Sequence, residues 1–162
     1  MAPMRNLALV AVMALGTACG GGGSDPVPLL GGAVNGSYEG NTFMGVNGIA
    51  DHLVQGEDEA YVIAIGDGNL NCDSAESTSP PDGTNGVIQL SELTEATYAN
   101  VFVNLYRNVD DFEGKGSNSG SLVLTSVTAD HVAGSIAYDF TDSDDGTRYQ
   151  FNGTFDVVRC DE

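Results

Sequence analysis

Between Ser37 and Cys160 apolar side chains recur at alternate positions, and no window keeps the three-to-four-residue spacing of an amphipathic helix. A period of two sends successive side chains to opposite faces of a strand, so a chain patterned this way folds by stacking sheet faces or closing a sheet on itself. The last segment is the clearest. Over residues 148–158, Tyr149, Phe151, Phe155 and Val157 share one face, and Gln150, Asn152, Thr154 and Asp156 share the other. Residues 132–140 bring Val132, Ile136, Tyr138 and Phe140 together, with Ser135 and Asp139 turned away. Residues 98–106 set Ala99, Val101, Val103 and Leu105 against Tyr98, Asn100, Phe102, Asn104 and Tyr106. Further strands are expected at 37–40, 43–53, 60–66, 86–91 and 122–127. Ala60 to Ile65 is continuously apolar, as in a strand covered on both faces.

The connections carry turn chemistry. Asp145-Gly146 in the stretch TDSDDG (141–146) suits the positive φ of a hairpin loop, and residues 128–130 make a tight reversal. Residues 72–85, with Pro80, Pro81 and Gly83, form a long irregular segment, and 91–96 (SELTEA) is compatible with a short helical turn. The expected fold is all-β: a single antiparallel meander of about eight strands, closed as a barrel or folded over as a sandwich, with no substantial helix after the leader. The domain spans 35–162, within a chain of 162 residues that suits one core. A membrane-spanning barrel is disfavoured, because several strands fall short of the roughly 9 to 11 residues needed and Asp and Asn recur on their outer faces.

Residues 1–18 have the form of a secretory signal peptide. Arg5 gives the positive start, Leu7 to Leu15 the apolar stretch, and Gly16, Thr17 and Ala18 the small residues before a cut. As a helix that apolar stretch rises only about 14 Å, against a hydrocarbon core of roughly 30 Å. The run Leu15-Gly16-Thr17-Ala18-Cys19 resembles a bacterial lipobox, with the Leu one position further from the Cys than in the usual pattern. The resemblance implies that Cys19 is lipidated and becomes the new N-terminus, and that residues 19–34 are a flexible glycine-rich linker. Two or more acyl chains anchor stably where one holds only marginally. Gly20, rather than Asp, after the Cys implies the outer membrane; the expected location is the cell envelope, lipid-anchored, with secretion the alternative. The stretches 120–140 and 146–160 also resemble the tails of uncharacterised bacterial lipoproteins, a likeness in fold-determining residues that implies no activity.

With Cys19 assigned to lipid, Cys72 and Cys160 remain as an even pair in an oxidising setting, and a disulfide between them is expected. Such a bridge closes most of the domain and contributes about 4 to 5 kcal/mol on the chain-entropy account.

Charge and motif narrow the function. With 5 Lys+Arg against 23 Asp+Glu, a net charge of −18 argues against nucleic acid as a partner, since phosphate binding needs clustered cations. The two histidines, His52 and His131, each follow an Ala-Asp pair. Adjacent residues on a strand face opposite ways, so neither Asp-His pair can act as base and orienter together. The sequence has no GxSxG, HExxH, P-loop or GxGxxG pattern. Carboxylates cluster at 57–59, 110–113 and 142–145. The nearest approach to a calcium loop is Asp67, Asn69, Asn71 and Asp73, with oxygen ligands at every second position but without the Gly and distal Glu of an EF-hand. If the barrel were wide, Tyr138, Phe140, Tyr149, Phe151 and Phe155 would line a cavity for a small apolar ligand.

The resulting expectation is a non-enzymatic, membrane-tethered lipoprotein, structural or interaction-based, with an envelope protein or small ligand as partner and no cofactor. A small-ligand-binding barrel is the alternative, and calcium-dependent adhesion a third.

Overall fold

The computed structural model describes residues 29–55, 58–72, 83–107 and 114–160. The leader 1–18, Cys19, most of the linker, the 110–113 carboxylates and Asp73 lie outside them. Nine strands run through the described residues: β1 (Gly31–Tyr38), β2 (Asn41–Met44), β3 (Asn47–Gln55), β4 (Asp58–Gly66), β5 (Thr84–Leu90), β6 (Thr97–Arg107), β7 (Lys115–Val127), β8 (His131–Thr141) and β9 (Arg148–Arg159).

Strands β3 to β8 form the expected antiparallel meander, each pairing with the next, and β8 pairs with β9 from His131↔Val158 to Thr141↔Arg148. The circle closes where β9 meets β3, giving a seven-stranded barrel. This seam is parallel and short: the pairs Ile49↔Val158 and Ala50↔Arg159, continued by the Cys160 N–H donating to the Ala50 carbonyl at 2.8 Å. The rest of that side of β9 is taken by β1, antiparallel from Gly31↔Asp156 to Ser37↔Gln150, and β2 hairpins back onto β1. A barrel, rather than a sandwich, results because β9 pairs with β8 on one side and with β3 and β1 on the other, closing the seven strands into a ring.

The alternation in sequence becomes inside and outside. Tyr149, Phe151, Phe155 and Val157 are all buried, as are Val132, Ile136 and Tyr138, while Asp139, Thr154 and Asp156 are exposed. Each fully buried large side chain contributes roughly 1.5–3 kcal/mol. The doubly covered run in β4 is also realised. Ile63 and Ile65 point into the barrel, while Ala64 faces outward with Ile49, its partner on β3. That outer patch is roofed by Leu70, 2% exposed, from the loop that follows β4.

The structure departs from the pattern in several places. Strand β1 starts at Gly31, so residues 31–34, expected in the linker, are paired wall. The expected strand 43–53 is interrupted at Gly45-Val46, whose backbone crosses from the hairpin to the barrel: the Gly45 N–H donates to Val34 O at 2.9 Å and Val46 N–H to Gly66 O at 2.8 Å. Ala99, expected inside, is exposed. Register shifts against β7 occur between Ala99 and Val101 and between Val101 and Val103, with Asn100 held at φ 59°. An extra residue in one strand reverses the inside-outside phase beyond it. Residues 91–96 form a loop rather than a helical turn, tied by the Tyr98 hydroxyl, which accepts from Thr94 N–H at 3.1 Å and donates to Thr94 O at 2.9 Å. The 141–146 loop is as expected, with Gly146 at φ 75°.

Candidate functional site

Three places singled out from sequence have defined surroundings. The first is the aromatic set. Tyr138, Tyr149, Phe151 and Phe155 are 0–3% exposed and Phe140 is half-buried. The rings pack on one another and on the hairpin: Phe140 lies 6.4 Å from Tyr138 and 6.0 Å from Tyr149, Tyr149 meets Tyr38 edge-on at 5.6 Å, and Phe151 stacks on Phe43 at 6.0 Å. Phe155 joins the same continuous core. These side chains are brought together as expected, and their neighbours are core side chains. Burial raises the pKa of the Tyr138 and Tyr149 phenols above the ordinary tyrosine value. Beside Tyr149, Lys115 Nζ donates to Asp142 Oδ2 at 2.7 Å, a bond that holds the Asp142 carboxyl below the usual carboxylate range.

The second place is the loop proposed for calcium. Asp67 Oδ1 accepts the Thr84 N–H at 2.6 Å while the Asp67 N–H donates to Thr84 O at 3.1 Å, so this carboxylate extends the β4–β5 ladder. Asn69 is exposed and Asn71 half-buried. Among the described residues no three His, Cys, Asp or Glu side chains are grouped to hold a metal ion. Asn47, 4% exposed, holds the loop: its Oδ1 accepts the Leu70 N–H at 3.2 Å and its Nδ2 donates to Gly68 O. Cys72 then bonds to Cys160, with the Cα atoms 5.3 Å apart. The expected disulfide therefore ties this loop to the end of β9, beside the barrel seam.

The third place is the histidines. His52 stacks on Tyr61 with centroids 4.6 Å apart, and its Nε2 lies 3.7 Å from Glu59 Oε2. Its neighbour Asp51 accepts the His52 backbone N–H at 2.8 Å. His131 Nδ1 pairs with Asp156 Oδ1 at 3.0 Å on the exposed wall. Among the described residues, the side chains paired with these two imidazoles are carboxylates and a tyrosine, and neither is paired with a serine.

The feature that sequence reasoning missed lies on the outer wall. A cleft of about 620 Å³ opens across β3 to β7. Leu53, Ala60 and Val62 form its apolar floor, and register sets Val62, Gln89 and Phe102 in one row across β4, β5 and β6. Asn118 reaches it from β7, and Asn100, at the irregularity in β6, stands at the rim. The half-buried Phe102 ring rests across Gly116, where any Cβ would come within 2.8 Å of Phe102 Cζ. Tyr98, fixed by Thr94, closes the end of the cleft. Among the described residues its one charged lining residue is Glu59, close to His52. The outward row Asn100, Phe102, Asn104 was visible in the sequence, but the strand pairing that adds Gln89 and Asn118 was not.

Compared with protein-family models, curated proteins and solved structures, the chain finds no match in any of the three.

Proposed function

We propose that the chain is a lipoprotein of the cell envelope, anchored through lipid on Cys19, whose barrel is a non-catalytic interaction module working through its outer surface. The observation that carries this reading is the packing of Tyr138, Tyr149, Phe151 and Phe155 into a continuous core, while an open cleft lies on the outer wall. A barrel so filled serves as a rigid scaffold rather than as a calyx. The net charge of −18 supports a domain standing off anionic lipid.

The test is fractionation of cells expressing the full chain and its Cys19→Ser variant. Release of the variant from the membrane fraction, with the native chain retained, supports anchoring; identical fractionation refutes it. Crosslinking of the intact lipoprotein in native envelopes tests the interaction role. A partner captured by the native chain and lost on alteration of the outer wall supports the reading.

A further inference from the structure

We infer that the outer-wall cleft is a binding site for a neutral oligosaccharide, an inference that rests on the interaction-module reading and gives it a ligand class.

Charge is the first argument. In a chain carrying −18, the cleft lining among the described residues contains a single charged side chain, Glu59, which lies 3.7 Å from the His52 imidazole. Among the described lining residues, phosphates, nucleotides and acidic peptides find no Lys or Arg, and a cation finds one carboxylate. A ligand matched to this surface is uncharged.

Hydrogen-bonding capacity is the second. Among the described residues, the side-chain amides of Gln89, Asn100 and Asn118 donate to and accept from no other group, although each carries two N–H donors and a carbonyl acceptor. An amide offers donor and acceptor side by side, and a pair of adjacent sugar hydroxyls offers the same in reverse. Three such amides around a half-buried phenyl ring and an apolar floor reproduce what a pyranose presents: hydroxyls at its rim and a C–H face. A wholly apolar ligand would leave these amides without partners and is disfavoured for that reason.

Backbone geometry is the third. Strands β4, β5 and β6 are each hydrogen-bonded on both sides, so a peptide cannot add here as a further strand. The volume, about 620 Å³, lies inside the range of specific ligand sites, roughly 300–1,000 Å³. The irregularity in β6 that turns Asn100 to the rim is the kind of feature that re-aims a side chain beside a site.

The test uses the purified full chain in detergent against immobilised neutral oligosaccharides: gluco-, manno-, galacto-, xylo- and N-acetylglucosamine oligomers. Uronate-containing and sialylated glycans serve as controls. Expected is binding of at least one neutral class, with Gln89→Ala and Asn118→Ala each weakening it by about tenfold, Phe102→Ala by more, and melting temperature unchanged in the two amide variants. Lack of binding to every neutral oligomer at about 10 mM, preference for the acidic glycans, or binding indifferent to Gln89→Ala and Asn118→Ala each overturns the inference. If crosslinking still captures an envelope protein while the neutral oligomers fail, the glycan assignment falls and the interaction-module reading stands.

Discussion

The Cys72–Cys160 bridge links residues 88 apart and offers a quantitative test of how the barrel is held. Replacing both cysteines by serine frees the denatured chain. With a loop near 88 residues the lost constraint is about 15 cal/mol/K, or about 4.6 kcal/mol at 25 °C. The native state also loosens, since the bridge holds Leu70 against Ile49 and Ala64; releasing Leu70 costs roughly a further 1.5–3 kcal/mol. Against a total stability of about 5–15 kcal/mol, the variant is left marginal. Urea unfolding, followed by far-ultraviolet circular dichroism, reads this directly. With an m-value of about 2 kcal/mol/M, the midpoint falls by roughly 2 M or more, and m rises because the unlinked chain exposes more surface when unfolded. Reductant acting on the native chain gives the same curve. A midpoint loss below about 0.5 M with m unchanged refutes the loop-entropy argument.

Three further outcomes follow from particular contacts. Phe151→Ala removes a fully buried ring stacked on Phe43 and costs about 3–5 kcal/mol, measured by thermal or urea unfolding. Asn47→Ala leaves the Leu70 N–H and Gly68 carbonyl without their partner and costs about 1–3 kcal/mol, with hydrogen exchange accelerating first at Leu70. Asp142→Asn lowers the melting temperature at pH 6 because the folded carboxyl, held low mainly by Lys115, is stabilising only while ionised. The difference from the native chain shrinks as pH falls through and below about 4, and a difference constant from pH 6 to pH 2 contradicts the assignment.

What was legible in the sequence was the local phase of each strand. Tyr149 through Val157 and Val132 through Tyr138 alternate without interruption, and burial follows the alternation because one face has a dry interior to enter. Ala99 broke the rule because Asn100 adopts a left-handed conformation, which apolar periodicity does not register. The break at Gly45-Val46 escaped for a related reason: a strand that leaves one neighbour for another keeps its composition while changing its partner. Neighbour order was also hidden, since β9 sits between β8 on one side and β1 and β3 on the other through contacts far apart in the chain. The aromatic set was found, but whether its rings enclose space or fill it depends on barrel circumference and on Phe43 and Tyr38 from the hairpin. The outer cleft required Gln89 and Asn118 to be carried beside Phe102 by pairing, and their own segments give no sign of it.

The final strand acts as a clasp. It touches β8 along its length, receives β1, and meets β3 at the join, so three separated parts of the chain wait for the same twelve residues. A polypeptide emerging from its N-terminus has no complete wall until Arg159, at the end of β9, is free. Until then β1, β3 and β8 remain unclasped edges. Loss of β9 therefore unmakes the whole enclosure rather than shortening it.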